Sequence, residues 1–183
     1  MGSKYIKKQN VSISLQKWHL NTKYKELIIR DNSYKRFDMD FIIKSSISDS
    51  EYIIKIKQDG ITKIPKVYVI SPILKSYSNE SIPHTYGMQK INGKEYLQIC
   101  PFYPAEDWNK NMIIADTVLL WSIEWFYFYE IWLVSGKWCG RWKTSKNKEK
   151  IGEIHLECSP ISYILSNFLC FIFNFFFSQN NRI

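Results

Sequence analysis

A chain of 183 residues, 45% of them apolar, is long enough for one domain with an ordinary core, or for a domain plus an appendage. A formal charge of +8 raises nucleic acid as a partner, but the lysines are spread along the chain and alternate with apolar residues in strand-like runs. That is the pattern of a solvated sheet face, so nucleic-acid binding is not expected. Four cysteines, Cys100, Cys139, Cys158 and Cys170, have no regular spacing, and the opening MGSKYIKKQN lacks the apolar stretch of a secretory leader. Reduced thiols in a cytoplasmic protein are expected, not a disulfide framework.

Residues 10–20 (NVSISLQKWHL) offer Ser12 or Ser14 as a helix cap, with apolar Leu15 and Trp18 following at helical spacing. The period then changes to two. Residues 25–30 (KELIIR), 37–44 (FDMDFIIK), 52–57 (YIIKIK) and 66–71 (KVYVIS) are β-branched or aromatic runs divided by turn-formers, including Asp31-Asn32-Ser33 and Asp59-Gly60. Consecutive strands with short turns predict a four-stranded antiparallel meander, and with it an α+β fold. Residues 72–111 read as irregular, punctuated by Pro72, Pro83, Gly87, Asn92-Gly93, Pro101 and Pro104, with one short strand at 95–99 just before Cys100. Its aromatic content argues for a functional loop and against disorder.

Residues 112–134 hold no Gly or Pro, and Gly136 stands just past their end, so a long helix is expected there. Ile114, Val118, Trp121, Trp125, Phe128 and Trp132 share one face, which reads as core packing. As a membrane span this segment would bury Asp116, Glu124 and Glu130, at about 2.5–3.5 kcal/mol each near the bilayer centre. A core helix is the better reading. A basic linker (143–160) and a Phe-rich tail (161–183) follow. The uncharged stretch 161–178, if helical, spans about 27 Å, the lower limit for crossing a bilayer. Tail anchor, partner-binding helix and added extension all stay open for it. His155 and Cys158 have no second pair at zinc-ligand spacing, so no metal is expected, and no nucleotide fingerprint calls for a cofactor.

Cys100 stands between a strand end and Pro101. Taken alone, a free cysteine is most often a small buried hydrophobe; on a rigid exposed loop it serves as a nucleophile. The order of helix, meander, irregular segment with cysteine, tryptophan and then helix resembles the ubiquitin-conjugating (UBC) fold. IPKVYVISPIL (64–74) is similar to the strand that leads to that family's active-site loop, and NGKEYLQIC (92–100) to its N-G-x-I-C approach to the catalytic cysteine. Trp108 follows Cys100 by eight residues, as a tryptophan commonly does there. A closer resemblance is to the conjugating-enzyme-like protein of bacterial type II CBASS antiphage operons. It rests on PHTY (83–86), ICPFYP (99–104), DW (107–108), ADT (115–117) and WSIEWFYFYEIWLVSGKWCG (121–140), and covers roughly residues 10–140.

The resemblance implies a UBC-like domain over 1–142, with Cys100 forming a thioester to the C-terminus of a cyclic-nucleotide-synthesising nucleotidyltransferase before transfer to an amine acceptor. His84 takes the place of the family's loop histidine, either orienting the loop or assisting proton transfer; a single backbone hydrogen bond is the plainer role. The family's His-Pro-Asn triplet is not intact, since Thr85-Tyr86 follow His84, which precedes Cys100 by sixteen residues. Asn92 and Asn79 are candidates for the missing asparagine. Asp107, Asn109 and Asp116 are candidates to activate an amine, although Asp107 and Asn109 also suit helix capping. Two further readings remain: a non-catalytic UBC-fold binding module for the same partner, and a tail-anchored protein whose membrane contact runs through 161–178 only.

Overall fold

Ser12 starts the first helix. Its backbone is extended (ψ 157°), its hydroxyl accepts the Leu15 amide at 3.2 Å, and α1 (Ile13–Lys23) follows. The computed structural model describes residues 11–140. The Leu15–Trp18 side of α1 is exposed, whereas Gln16 and Leu20 are buried. Gln16 can be buried because both ends of its amide are satisfied across the chain. It donates to the Met112 carbonyl at 2.8 Å and accepts the Ile114 amide at 2.7 Å. One side chain thus ties α1 to the 3-10 turn Ile114–Asp116 that precedes the last helix.

The four meander strands are β1 (Ile28–Asp31), β2 (Phe37–Lys44), β3 (Glu51–Gln58) and β4 (Lys66–Ser71), paired antiparallel in order. The run at 25–30 is not strand throughout. A 3-10 turn occupies Lys25–Leu27 before β1 begins. In β2 and β3 the alternation sends Phe37, Met39, Phe41, Ile43, Tyr52, Ile54 and Ile56 into the core. The opposite face carries Asp38, Asp40 and Lys55, with the Lys55 ammonium 3.0 Å from Asp38 and 2.6 Å from Asp40. Burial draws the Lys55 pKa down, but hydrogen bonds to the two carboxylates outweigh it and leave it raised.

Residues 72–111 are more regular than the sequence suggested. Residues 85–91 form β5 (Thr85–Ile91), a hairpin partner of β6 (Lys94–Ile99), so the sheet has six strands in the order β1-β2-β3-β4-β6-β5. Asn92 and Gly93, at φ 50° and 82°, make the two-residue turn with positive φ at both positions that suits a right-twisted hairpin. The strand escaped notice because most of its residues are exposed, leaving no apolar alternation to read.

The last helix, α3 (Val118–Ser135), is shorter at its start than expected because Ile114–Asp116 is a 3-10 turn. Gly136 ends it in the left-handed conformation (φ 69°), its amide bonded to the Trp132 carbonyl at 2.8 Å. Val118, Leu119, Trp125, Phe126, Tyr129 and Trp132 join the inward residues of the sheet in one core, and Phe126 stacks on Tyr52 at 4.2 Å. Of the expected stripe, Ile114, Val118, Trp125 and Trp132 are buried in this core, Trp121 is half-buried against it, and Phe128 is half-buried beside Trp138. Among the described residues no helix is long and apolar enough to cross a membrane. Glu130 is itself buried and accepts hydrogen bonds from Ser45, Ser48 (2.9 Å) and Tyr52 (2.7 Å), tying the β2–β3 turn to α3. Burial, then this bond, holds the Tyr52 phenol above its ordinary range. The linker 143–160, the tail 161–183 and the His155–Cys158 pair lie outside the described residues. Among the described residues no group of His, Cys, Asp or Glu is arranged to hold a metal ion.

Candidate active site

Cys100 is the first residue beyond β6. Ile99 before it is buried, Phe102 after it is buried, and Cys100 between them is half-buried. The Phe102 ring packs against Trp121 (5.2 Å) and Trp108 (6.4 Å), which anchors the loop from its C-terminal side. A short helix, α2 (Pro104–Asp107), then turns the chain, with the Asp107 carboxylate accepting the Tyr103 amide at 2.7 Å. On the other side the Cys100 amide donates to the His84 carbonyl at 2.8 Å. The Trp125 indole N–H donates to the same carbonyl at 3.1 Å, so α3 holds the loop that holds the cysteine.

The Cys100 sulfur lies 3.2 Å from the Tyr86 hydroxyl and 3.4 Å from the Phe102 carbonyl. It faces an open groove of about 200 Å³ lined by Ile64, Pro65, Tyr86, Gln98, Pro101 and Pro104. Burial, then the bond to Cys100, pushes the Tyr86 phenol above its ordinary range, so it stays protonated at neutral pH. A thiol held on a braced loop beside an open groove can attack an acyl carbon and release it again.

The remaining sequence candidates fall into distinct places. His84 has a left-handed backbone (φ 54°), and its ring stacks on Trp138 at 4.7 Å. Burial lowers its pKa to about 4, leaving the imidazole neutral at pH 7. Its tie to Cys100 runs through the backbone carbonyl. Asn92 is at the hairpin turn, the opposite end of β6 from Cys100, roughly 20 Å away at about 3.3 Å per residue, too far to meet an oxyanion. Asn79 occupies a left-handed turn (φ 63°) where the Glu80 amide bonds the Tyr77 carbonyl. Asn109 accepts the Asn111 amide at 3.0 Å, and Asp116 pairs with Lys23 at 2.6 Å. Cys139 is half-buried, 3.8 Å from the Lys137 carbonyl. Sequence reasoning missed Tyr86 and the Trp125–His84 link. Gly87, directly after Tyr86, was the one local signal of unusual backbone there.

A family model described as type II CBASS E2 protein matches residues 16–145. No curated protein matches the chain.

Proposed function

Because the chain belongs to the type II CBASS E2 protein family, and so acts in CBASS antiphage defence, we propose that it is a conjugating enzyme carrying an acyl group as a thioester on Cys100. The observation that supports this reading best is the half-buried thiol between two buried anchors, Ile99 and Phe102, facing an open groove. The six-stranded sheet with α1 and α3 is compatible with a UBC-like topology over 1–142, the division from linker and tail being part of the proposal.

The donor is the C-terminal carboxylate of a cyclic-nucleotide-synthesising nucleotidyltransferase, delivered as an acyl adenylate or thioester by a cytoplasmic partner, since this sequence has no P-loop. The Cys100 thiolate attacks the acyl carbon, a C–S bond forms, and AMP or the donor thiolate leaves. An acceptor amine then attacks the thioester. Its C–N bond forms, the C–S bond breaks, and the proton lost from nitrogen passes to solvent or to the sulfur. His84 contributes by position, its carbonyl fixing the Cys100 amide.

The test is recovery of adducts with the nucleotidyltransferase from co-expressing cells. Wild type and Cys139→Ser should give adducts cleaved by reducing agent. Cys100→Ser should trap a more durable oxyester, because an alkoxide leaves less readily than a thiolate, and Cys100→Ala should give none. Adducts that persist in Cys100→Ala would point instead to a non-catalytic binding module.

A further inference from the structure

Next to the cysteine, β5 departs from regular pairing. Thr85 faces Ile99 and Gly87 faces Gln98, so Tyr86 is an extra residue with no opposite number in the ladder. Such a bulge re-aims the side chain it carries. Gly87 supplies the left-handed backbone of the bulge at φ 76°. A Cβ there would meet nothing within 4 Å, so glycine serves the conformation and not the space. The outcome is a phenol turned over the cysteine, its oxygen 3.2 Å from the sulfur and its ring on the groove wall.

We propose that Tyr86 is a catalytic residue of the acyl transfer, its O–H donating to the Cys100 thiolate and then to the oxyanion of the tetrahedral intermediate. This rests on reading Cys100 as the acyl carrier. While the thiol is protonated, its one hydrogen has two acceptors in reach, the phenol oxygen at 3.2 Å and the Phe102 carbonyl at 3.4 Å. Once it ionises, the phenol is the donor, which an acceptor-only thiolate requires. In the thioester the carbonyl oxygen is two bonds from sulfur, within reach of a donor that already touches sulfur. The amine lone pair attacks the carbonyl carbon, and the π pair moves onto the oxygen, where the Tyr86 O–H meets it. Collapse restores the carbonyl, breaks the C–S bond and returns the electron pair to sulfur, which Tyr86 again stabilises. The amine's proton goes to solvent or to the sulfur. Tyr86 stays protonated throughout and supplies only a hydrogen bond.

The experiment uses the full-length protein and a short peptide bearing a C-terminal thioester, loaded by thiol exchange and discharged with free lysine, followed by intact-mass spectrometry. Tyr86→Phe should load to the same mass but discharge roughly 10- to 100-fold more slowly, the loss expected for one oxyanion donor in a partly open site. Tyr96→Phe, which removes the phenol opposite Gln89 on β6, should match wild type. A second readout needs no acyl group. With the phenol donor gone from beside the sulfur, alkylation by iodoacetamide at neutral pH should slow about threefold. Wild-type rates for Tyr86→Phe in both assays would overturn the proposal. Failure of the wild type to load at Cys100 would overturn the acyl-carrier reading and the oxyanion role together, while the alkylation comparison would still decide whether Tyr86 serves the sulfur.

Discussion

Trp125→Phe tests whether α3 governs the cysteine. Trp125 is 3% exposed, and its indole N–H donates to the His84 carbonyl, which also accepts the Cys100 amide. Removing the N–H should cost about 1 kcal/mol net, because the carbonyl keeps its other donor. The smaller ring vacates roughly 40 Å³, worth about 1 kcal/mol at about 24 cal/mol per Å³ of residual cavity. The sum, about 2 kcal/mol, should lower the melting temperature by roughly 5–10 °C in a domain of this size. It should also slow alkylation of Cys100 several-fold, since the carbonyl that fixes the cysteine amide is no longer pinned. Trp132→Phe is the control: an equally buried tryptophan two turns on, packed against Tyr77 and Tyr129, whose loss should cost similar stability and leave Cys100 unchanged. Thermal melts followed by circular dichroism and timed alkylation measure both quantities. A Trp125→Phe protein that is destabilised as expected but reacts at the wild-type rate would show that the bond braces the fold and not the cysteine.

Glu130→Gln replaces an all-acceptor carboxylate with a group carrying an N–H donor, and three hydroxyls already point at that site. At least one of them then loses its acceptor, and urea unfolding should show a loss of about 1–3 kcal/mol; a change below about 0.5 kcal/mol would mean the cluster is solvated. The His84 imidazole should remain neutral in an NMR titration from pH 7 down to about 4. Its folded pKa lies below the unfolded value of about 6.5, so the unfolded chain takes up the proton first. Stability linked to this group is therefore present above pH 6.5 and lost as pH falls toward 4. The full shift corresponds to about 3 kcal/mol, reduced to about 1–2 by solvent screening of a half-buried ring. His84→Asn, which tolerates the left-handed backbone, should lack that part of the acid slope; a variant with the wild-type slope would refute the assignment.

Much of this protein was legible from local pattern. In β2, β3 and β4, β-branched and aromatic residues repeat with period two between turn-formers, and that period specifies conformation and, in β2 and β3, the alternating buried face. Ser12 and Gly136 marked helix ends because capping is a matter of one or two residues and their own dihedrals. Cys100 could be singled out because its neighbours form a recognisable motif. The rest needed partners distant in sequence. The mostly exposed strand β5 shows no apolar alternation, so only its ladder with β6 makes it a strand. α1 buries Gln16 in place of Trp18, because the groups that satisfy the amide, at Met112 and Ile114, lie almost a hundred residues away. The contact between Tyr86 and Cys100 depends on a one-residue register shift, which moves a side chain to a new target without altering the composition of the strand. Residue pattern encodes hydrogen bonding and burial along the chain; pairing register and long-range satisfaction of buried polar groups exist only once the sheet and α3 have met.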